Sequence, residues 1–364
     1  MTYKSFSFVK KSIGKYGRLH LFITRRMHMF IAKKHGSVEL VKADVAVKTA
    51  VYVCPGCEGE VQLKHGTIKT PHFSHVTLRD CQSLAEGESR DHLLGKLQLA
   101  DFFENIGGTV ELEVWLPDIQ QRPDLVVTFN NVKIAVEFQC APITAQRVSE
   151  RSRGFESLGM DVVWVLGPTY QQKKLQQATW AKFARIRSDS LQVAFWRPKN
   201  NRVEWQSWWR LDCRNRVGQK YVGDPYRQLL KLQQLATQRA DISRRWQKRL
   251  YRLGRSLVGM QWICHRLNAM PGGGRATQWE VSLAVLLALE KGPQTIEQLQ
   301  EVVIQQAWFD FGATKQADAV RLWLDCLLDE WRVANVISQL DNRICLNKEP
   351  EWYVDYQHKL AALD

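Results

Sequence analysis

The sequence predicts an α/β core with a mixed sheet, preceded by a small β-rich segment and followed by mostly helical segments. Two observations carry that reading. Between residues 88 and 166, helical spacing gives way to three strand patterns, then to helical spacing again, then to a buried strand. Before residue 85 the chain holds short β-prone runs broken by turn residues, and beyond residue 201 it becomes rich in Trp, Arg and Gln.

In the core, Leu93, Leu94, Leu97, Phe102 and Phe103 recur at helical spacing over 88–104, and Gly107-Gly108 stops the helix. Val110, Leu112, Val114 and Leu116 alternate with Glu111, Glu113 and Trp115, predicting a half-buried strand. Asp124 to Phe129 and Val132 to Gln139 predict two more strands, 143–158 a helix, and Val162 to Leu166 a buried strand. Five segments follow: 1–26, a basic arm or an extension upstream of the true start; 27–84, a small β domain; 85–200, the α/β core; 201–274, a basic helical region; and 275–364, a last helical unit. Pro271-Gly272-Gly273-Gly274 reads as the linker before that unit. Three helical stretches (Trp279 to Leu289, Thr295 to Gln305, Ala317 to Leu328) and a hairpin over Val336 to Leu346 suggest a winged-helix-like arrangement there.

Hydrophobic residues make up 45% of the 364 positions, enough for a sizeable core without disulfides. No run of 18 apolar residues occurs, which argues against membrane insertion. With 51 Lys and Arg against 37 Asp and Glu the net charge is +14, and such a surplus suggests a polyanion such as nucleic acid as partner. Residues 1–26 carry seven of those charges, Lys4, Lys10, Lys11, Lys15, Arg18, Arg25 and Arg26, with no acid and no secretory pattern. A cytoplasmic protein with reduced thiols is the expectation.

Asn130-Asn131 can form a two-residue hairpin turn, because Asn tolerates positive φ. Such a turn pairs Phe129 with Val132, and counting back places Asp124 across from Glu137, their Cβ atoms about 4.5–5.5 Å apart on one face. Gln139 shares that face. Two facing carboxylates repel when both ionise, so one takes up a proton or a cation sits between them, and oxygen ligands suit Mg²⁺ or Mn²⁺. Glu88, His92 and Lys96 form one stripe of the preceding helix and can lie across the same edge.

Cys54-x2-Cys57, fourteen residues, His72-x2-His75 and then Cys81 place five soft ligands close together, matching tetrahedral Zn²⁺, which needs four. Pro55-Gly56 supplies a tight turn between the first two thiols. Cys54, Cys57, His75 and Cys81 are the preferred set, with His72 as substitute.

Arg122-Pro123-Asp124, twelve residues, then Glu137-Phe138-Gln139 resembles the PD-(D/E)XK nuclease signature. Together with Cys54-Pro55-Gly56-Cys57, the His72 to His75 run, Cys81, Glu88, His92, Lys96, Ala141-Pro142-Ile143, Arg147, Arg151 and Val162 to Gly167, the order of motifs over 27–170 is similar to that of the competence protein CoiA family. The resemblance implies a PD-(D/E)XK restriction-endonuclease-like core in which Asp124, Glu137 and the Phe138 carbonyl hold Mg²⁺ or Mn²⁺. Glu88 would be the helix-borne acid, and His92 and Lys96 would line the catalytic edge. Gln139 stands where most such nucleases have Lys, so Lys96 or another base would substitute.

From Tyr226 to Gly254 eight Lys and Arg face one acid, Asp241, and apolar residues recur beside them. This reads as basic amphipathic helix, with Arg244, Arg245, Lys248 and Arg249 as phosphate contacts. Trp205, Trp208 and Trp209 are candidates for base stacking or, better, for core packing. Two readings result. One is a metal-dependent DNA nuclease or DNA-processing factor acting on incoming single-stranded DNA in natural transformation, alongside recombination or competence proteins. The other is a non-catalytic DNA-binding or recombination-mediator protein that keeps the nuclease fold.

Overall fold

Alternation and turn chemistry set the short strands of the first unit. The computed structural model describes residues 31–363 except 38–39, 55–57, 67–70, 78–89, 172–174, 212–213, 218–219 and 221. The basic arm at 1–26 therefore lies outside the described residues. Two compact units divide at Glu88 and Ser89. In the first, β1 (Ile31–Lys34), β2 (Leu40–Lys42), β3 (Tyr52–Val53), β4 (Glu60–Lys64) and β5 (His72–His75) form an antiparallel sheet in the order β2-β1-β3-β4-β5. Val61 and Leu63 of β4 point inward and Glu60 and Gln62 outward, the period of two that a one-sided sheet requires. The Tyr52 and Phe73 rings meet across it, centroids 4.8 Å apart.

The second unit opens on α1 (Arg90–Asn105) and a mixed sheet. β6 (Thr109–Leu112), β7 (Leu125–Phe129) and β8 (Val132–Gln139) form an antiparallel meander. Asn130 and Asn131 both take positive φ, 47° and 67°, so the two-residue turn closes as their side chains allow. The register follows: Phe129 pairs with Val132 and Leu125 with Val136. Beyond β8, α2 (Ala145–Ser157) crosses to β9 (Asp161–Leu166), which runs parallel to β8. Then α3 (Gln177–Phe183) and β10 (Arg185–Arg187) lead to β11 (Ser190–Arg197), parallel to β9. The expected α/β core with a mixed sheet is present.

The first strand of the core ends earlier than its alternation suggests. The pattern ran to Leu116, but β6 stops at Leu112 because Glu113 adopts φ 54°, outside the β region. The region read as helical from residue 201 also begins differently. β12 (Arg202–Leu211) and β13 (Arg214–Val217) extend the sheet, and Trp208 and Trp209 are buried in it. Its second half, Trp208 to Leu211, is buried on both faces, and Val203 to Ser207 are half-buried throughout, so the Trp-rich run shows no clean alternation. The helices start later, as α4 (Pro225–Thr237) and α5 (Asp241–Tyr251).

Pro271-Gly272-Gly273-Gly274 is not a linker. The short strand β14 (Met270–Pro271) pairs with β12, and the Gly272 N–H donates to the Trp208 carbonyl at 3.0 Å. A Cβ on Gly272 would lie 2.1 Å from the Trp208 ring, so glycine is there for close approach, not flexibility. The chain closes with α6 (Gln278–Leu289), β15 (Gln294–Thr295), α7 (Ile296–Ile304), α8 (Gln316–Val333), β16 (Ile337–Leu340), β17 (Arg343–Leu346) and α9 (Tyr356–Ala361). The last sheet has the order β15-β17-β16. Its core is shared with α5: Trp246 and Leu250 pack with Trp279, Leu286, Leu324 and Trp331. Glu280 ties the two together, accepting from Trp246 Nε1 at 2.9 Å and pairing with Arg245 at 2.6 Å.

The helix α1 reaches the sheet through Gly95. A Cβ at that position would lie 2.0 Å from Cε1 of Phe138, a fully packed ring on β8. Gly95→Ala should therefore lower stability by about 1–3 kcal/mol, the typical cost of overpacking, despite alanine's better helix propensity. Urea denaturation measures it, and an unchanged midpoint would show that α1 has room to shift.

Candidate functional site

The site gathers where α1, the end of β6, the start of β7 and the end of β8 converge. Lys96 sits one residue after Gly95, so the close approach of α1 carries its ammonium inward, leaving its side chain 3% exposed. Its Nζ donates to Oε1 of Glu113 at 2.6 Å and lies 3.6 Å from Oδ1 of Asp124. Four residues earlier on α1, His92 Nε2 donates to Oδ2 of Asp124 at 3.2 Å.

Asp124 stands at a bend one residue before β7. Its Oδ2 accepts the Phe138 N–H at 2.8 Å, so the carboxylate caps β8 where a strand carbonyl would otherwise sit. Glu137, 5% exposed, pairs instead with α2: Arg151 Nη2 donates to its Oε1 at 2.5 Å and to the Arg122 carbonyl at 2.9 Å. The register read from the hairpin turn holds through Leu125 and Val136. The two acids beyond it do not rely on a shared cation, because each has its own cationic side chain.

Glu113 completes the network and sequence reasoning missed it. It is 5% exposed, and Arg122 Nη1 lies 3.4 Å from its Oε2. Its left-handed backbone costs on the order of 1–3 kcal/mol, and its N–H donates to the Asp124 carbonyl at 3.1 Å. That turn aims the side chain at Lys96. The alternation gave no signal, since Glu111 and Glu113 occupy equivalent places in the pattern and Glu111 is exposed.

Three carboxylates, Glu113, Asp124 and Glu137, thus meet three permanent cations, Lys96, Arg122 and Arg151, with His92 beside them. Burial alone would raise the Asp124 carboxyl. The charges on His92 and Lys96, with hydrogen bonds from His92 and Phe138, outweigh it and hold the group well below the usual carboxylate range. For Glu113 burial again works upward, and Lys96 and Arg122 overcome it. Among the described residues no group of three or more His, Cys, Asp or Glu is placed to hold a metal ion. As arranged, this donor set does not fit Mg²⁺ or Mn²⁺, because each carboxylate is already neutralised. Glu88 lies outside the described residues. Gln139 is turned from the acids, its Nε2 donating to the Ala141 carbonyl at 2.6 Å.

In the first unit, Cys54 is buried and directly follows β3, while His72 and His75 bound β5. The Cys54 carbonyl accepts the Glu58 N–H at 2.9 Å and the Cys54 N–H donates to the Gly59 carbonyl at 2.8 Å. Cys57 and Cys81 lie outside the described residues. On α5, Arg244, Arg245, Lys248 and Arg249 are all exposed, while Ser243, Trp246 and Leu250 face inward. Arg245 has a structural partner in Glu280, and Arg249 stacks on Trp246 at 5.2 Å.

A mixed α/β domain with ion-paired acids at the end of its central hairpin, preceded in the chain by a small β unit, is the class of protein this arrangement defines. Residues 38–84 match the model of the competence protein CoiA N-terminal domain, and residues 88–215 that of the competence protein CoiA nuclease-like domain. The chain is 36% identical over 121 residues to competence protein CoiA of Bacillus subtilis (strain 168), a match covering 33% of this chain and 32% of that protein. Residues 38–84 and 88–215 are thus similar to the two domains of the CoiA family, and the chain spans about a third of the length of the relative it matches. No solved structure matches it. Among the described residues no helix is long and apolar enough to cross a membrane.

The depressed acids link stability to pH. A carboxyl lowered by folding adds stability that is present above its unfolded value, near pH 4, and lost as pH falls below it. Asp124→Asn should flatten the fall in unfolding free energy between pH 5 and pH 3 by about 1 kcal/mol relative to the parent. Urea denaturation at both pH values reads the difference, and an identical fall would show that Asp124 is not ionically held.

Proposed function

We propose that this chain is a CoiA-type DNA-handling protein that binds DNA, single strands foremost, and acts as a binding or recombination-mediating factor with its nuclease-like domain kept as scaffold. The observation that carries the reading is the internal neutralisation of Glu113, Asp124 and Glu137. A divalent cation at Asp124 and Glu137 would have to displace Arg151 and compete with Lys96 and His92, leaving buried cations unpaired, typically a cost of 3–5 kcal/mol for each broken pair. Gln139 adds no positive charge.

DNA contact is assigned to α5, whose exposed face carries the basic side chains. The C-terminal segment 275–364, winged-helix-like in our reading, suits it less. It holds eight Lys and Arg against fourteen Asp and Glu, and its longest helix, α8, carries Asp318, Asp325, Asp329 and Glu330. The small β unit is proposed to hold zinc through four of Cys54, Cys57, His72, His75 and Cys81. The buried Cys54, bonded through its backbone to Glu58 and Gly59, supports that assignment. Cytoplasmic location and work alongside competence or recombination proteins follow from the same reading.

A second reading is a metal-dependent deoxyribonuclease acting on incoming single-stranded DNA. It is favoured by the placement of Asp124 and Glu137 at the end of one hairpin, in a segment that matches a nuclease-like domain model. Incubation with single-stranded, duplex and flapped DNA and Mn²⁺ separates the two. The binding reading expects retention of DNA without cleavage, in the parent and in Glu137→Gln alike. Cleavage by the parent that Asp124→Asn abolishes would establish the nuclease.

Two further outcomes are expected. Replacing Arg244, Lys248 and Arg249 by Ala, and sparing Arg245 for its bond to Glu280, should weaken binding about equally for all sequences. The slope of log K against log salt on single strands should fall by up to about 2. An unchanged slope would move the interface elsewhere. Purified protein should carry close to one zinc, lost with Cys54→Ser and accompanied by weaker protection of 31–77 from hydrogen exchange. Metal-free protein with the same protection would refute the zinc assignment.

A further inference from the structure

The helix α9 is anchored by a charge where an apolar side chain would be usual. Lys359 is its one buried residue and is 0% exposed, although lysine is almost never fully buried without partners. Its ammonium has three N–H groups and meets three acceptors: the Val258 carbonyl at 3.2 Å, the Met260 carbonyl, and His265 Nε2 at 2.7 Å. The Trp262 ring offers its face to the same nitrogen at 4.7 Å, and Tyr353 at 5.9 Å. Among the described residues no carboxylate pairs with it. An imidazole that accepts at Nε2 is neutral and carries its proton on Nδ1, so the ammonium fits only while His265 is uncharged.

The stretch that carries Lys359 crosses the segment that follows α5. The Tyr353 N–H donates to the Gly259 carbonyl at 2.9 Å, and a Cβ on Gly259 would lie 1.9 Å from the Tyr353 carbonyl, so only glycine admits the crossing. Trp352 Nε1 donates to Oε1 of Glu290 at 3.1 Å, and Arg255 pairs with Glu290 and lies over the Trp352 ring at 4.4 Å. The other charged groups around the seat are settled. Cys264 is a neutral thiol, pushed up to about 12 by burial. Arg266 pairs with Glu330 of α8. Glu351, Asp355 and, on α4, which packs on α9, Arg227 and Lys231 are exposed. Of the two histidines here, His358 is exposed beside Tyr353, where solvent tolerates its charge, whereas His265 is 3% exposed and faces the ammonium.

We propose that residues 350–363 are an acid-released strap, seated on the 256–265 segment while His265 is neutral and freed when His265 takes up a proton. Protonation turns Nε2 from acceptor into donor and sets a second positive charge against Lys359 at a place closed to solvent. Burial pushes the Lys359 ammonium down to about 7, and burial with the charge of Lys359 holds His265 well below its usual value. A base lowered in the seated state favours seating above its free value, and that contribution is lost as pH falls. For Lys359 the loss runs from a free value of 10.5 to about 7; for His265 it begins near 6.5 and continues downward. Release therefore belongs to the range below pH 6.5. The strap does not depend on what the protein binds.

The test follows hydrogen exchange of residues 356–363, corrected for the intrinsic pH dependence of exchange, in the parent, His265→Gln and Lys359→Met at pH 7 and pH 5. In the parent, protection should fall by up to about 25-fold, the ratio that one group with a free value near 6.5 gives over that range when its seated form stays unprotonated. Protection of α6 and α8 should hold. His265→Gln puts an amide oxygen where Nε2 accepts and cannot take the proton, so its protection should be nearly the same at both pH values. Lys359→Met removes the charge that an imidazolium would oppose, so its protection should also stop depending on pH, and it carries the test if His265→Gln does not fold. A parent that keeps its protection at pH 5, a parent that loses it together with α6 and α8, or a folded variant that loses as much as the parent overturns the strap.

Discussion

The buried ammonium of Lys96 is the constraint around which the nuclease-like domain is arranged. A charge that is 3% exposed must be matched within a few ångströms, and Glu113 and Asp124 match it at 2.6 and 3.6 Å. Several otherwise odd features follow. Gly95 lacks a side chain because α1 must come close to Phe138 to bring Lys96 inward. Glu113 accepts a left-handed backbone, and β6 ends there, because only that turn points its carboxylate at Lys96. Asp124 leaves the strand at a bend and caps the Phe138 N–H, so one side chain serves both the sheet and the ion.

The same network bears on the choice between chemistry and binding. Facing carboxylates with nothing between them would demand a metal or a proton. Here Arg151 reaches across from α2 to Glu137, and Arg122 to Glu113, so the acids are satisfied before any ligand arrives. The site is then an internally paired piece of framework. Away from it, Glu280 plays a comparable structural part. It anchors the basic α5 to the acidic C-terminal segment through Trp246 and Arg245, and the remaining basic side chains of α5 stay exposed.

Much of this could be read from the residues because local rules and global fold agree. Asn130-Asn131 could only close a tight turn, and that turn fixed which strand residues pair through Leu125 and Val136. The buried run Val162 to Leu166 and the C-terminal helices also stand where their apolar spacing put them. The failures are tertiary. Glu113 looks like Glu111 until Lys96 is brought beside it. The Trp-rich stretch after residue 201 is a strand with partners on both edges, and its second half, Trp208 to Leu211, is buried on both faces, which erases alternation. The glycine run at 272–274 reads as flexible by composition, yet Trp208 leaves no space for a side chain at Gly272.

The most direct test is Mn²⁺ binding measured by electron paramagnetic resonance on the parent, Arg151→Met and Asp124→Asn. An internally neutralised site predicts that the parent binds no Mn²⁺ at micromolar concentrations and that Arg151→Met, which releases Glu137, creates or strengthens one binding site. Stoichiometric micromolar binding by the parent that Asp124→Asn removes would contradict the account, because the carboxylates would then be held for a metal and not for Lys96 and Arg151.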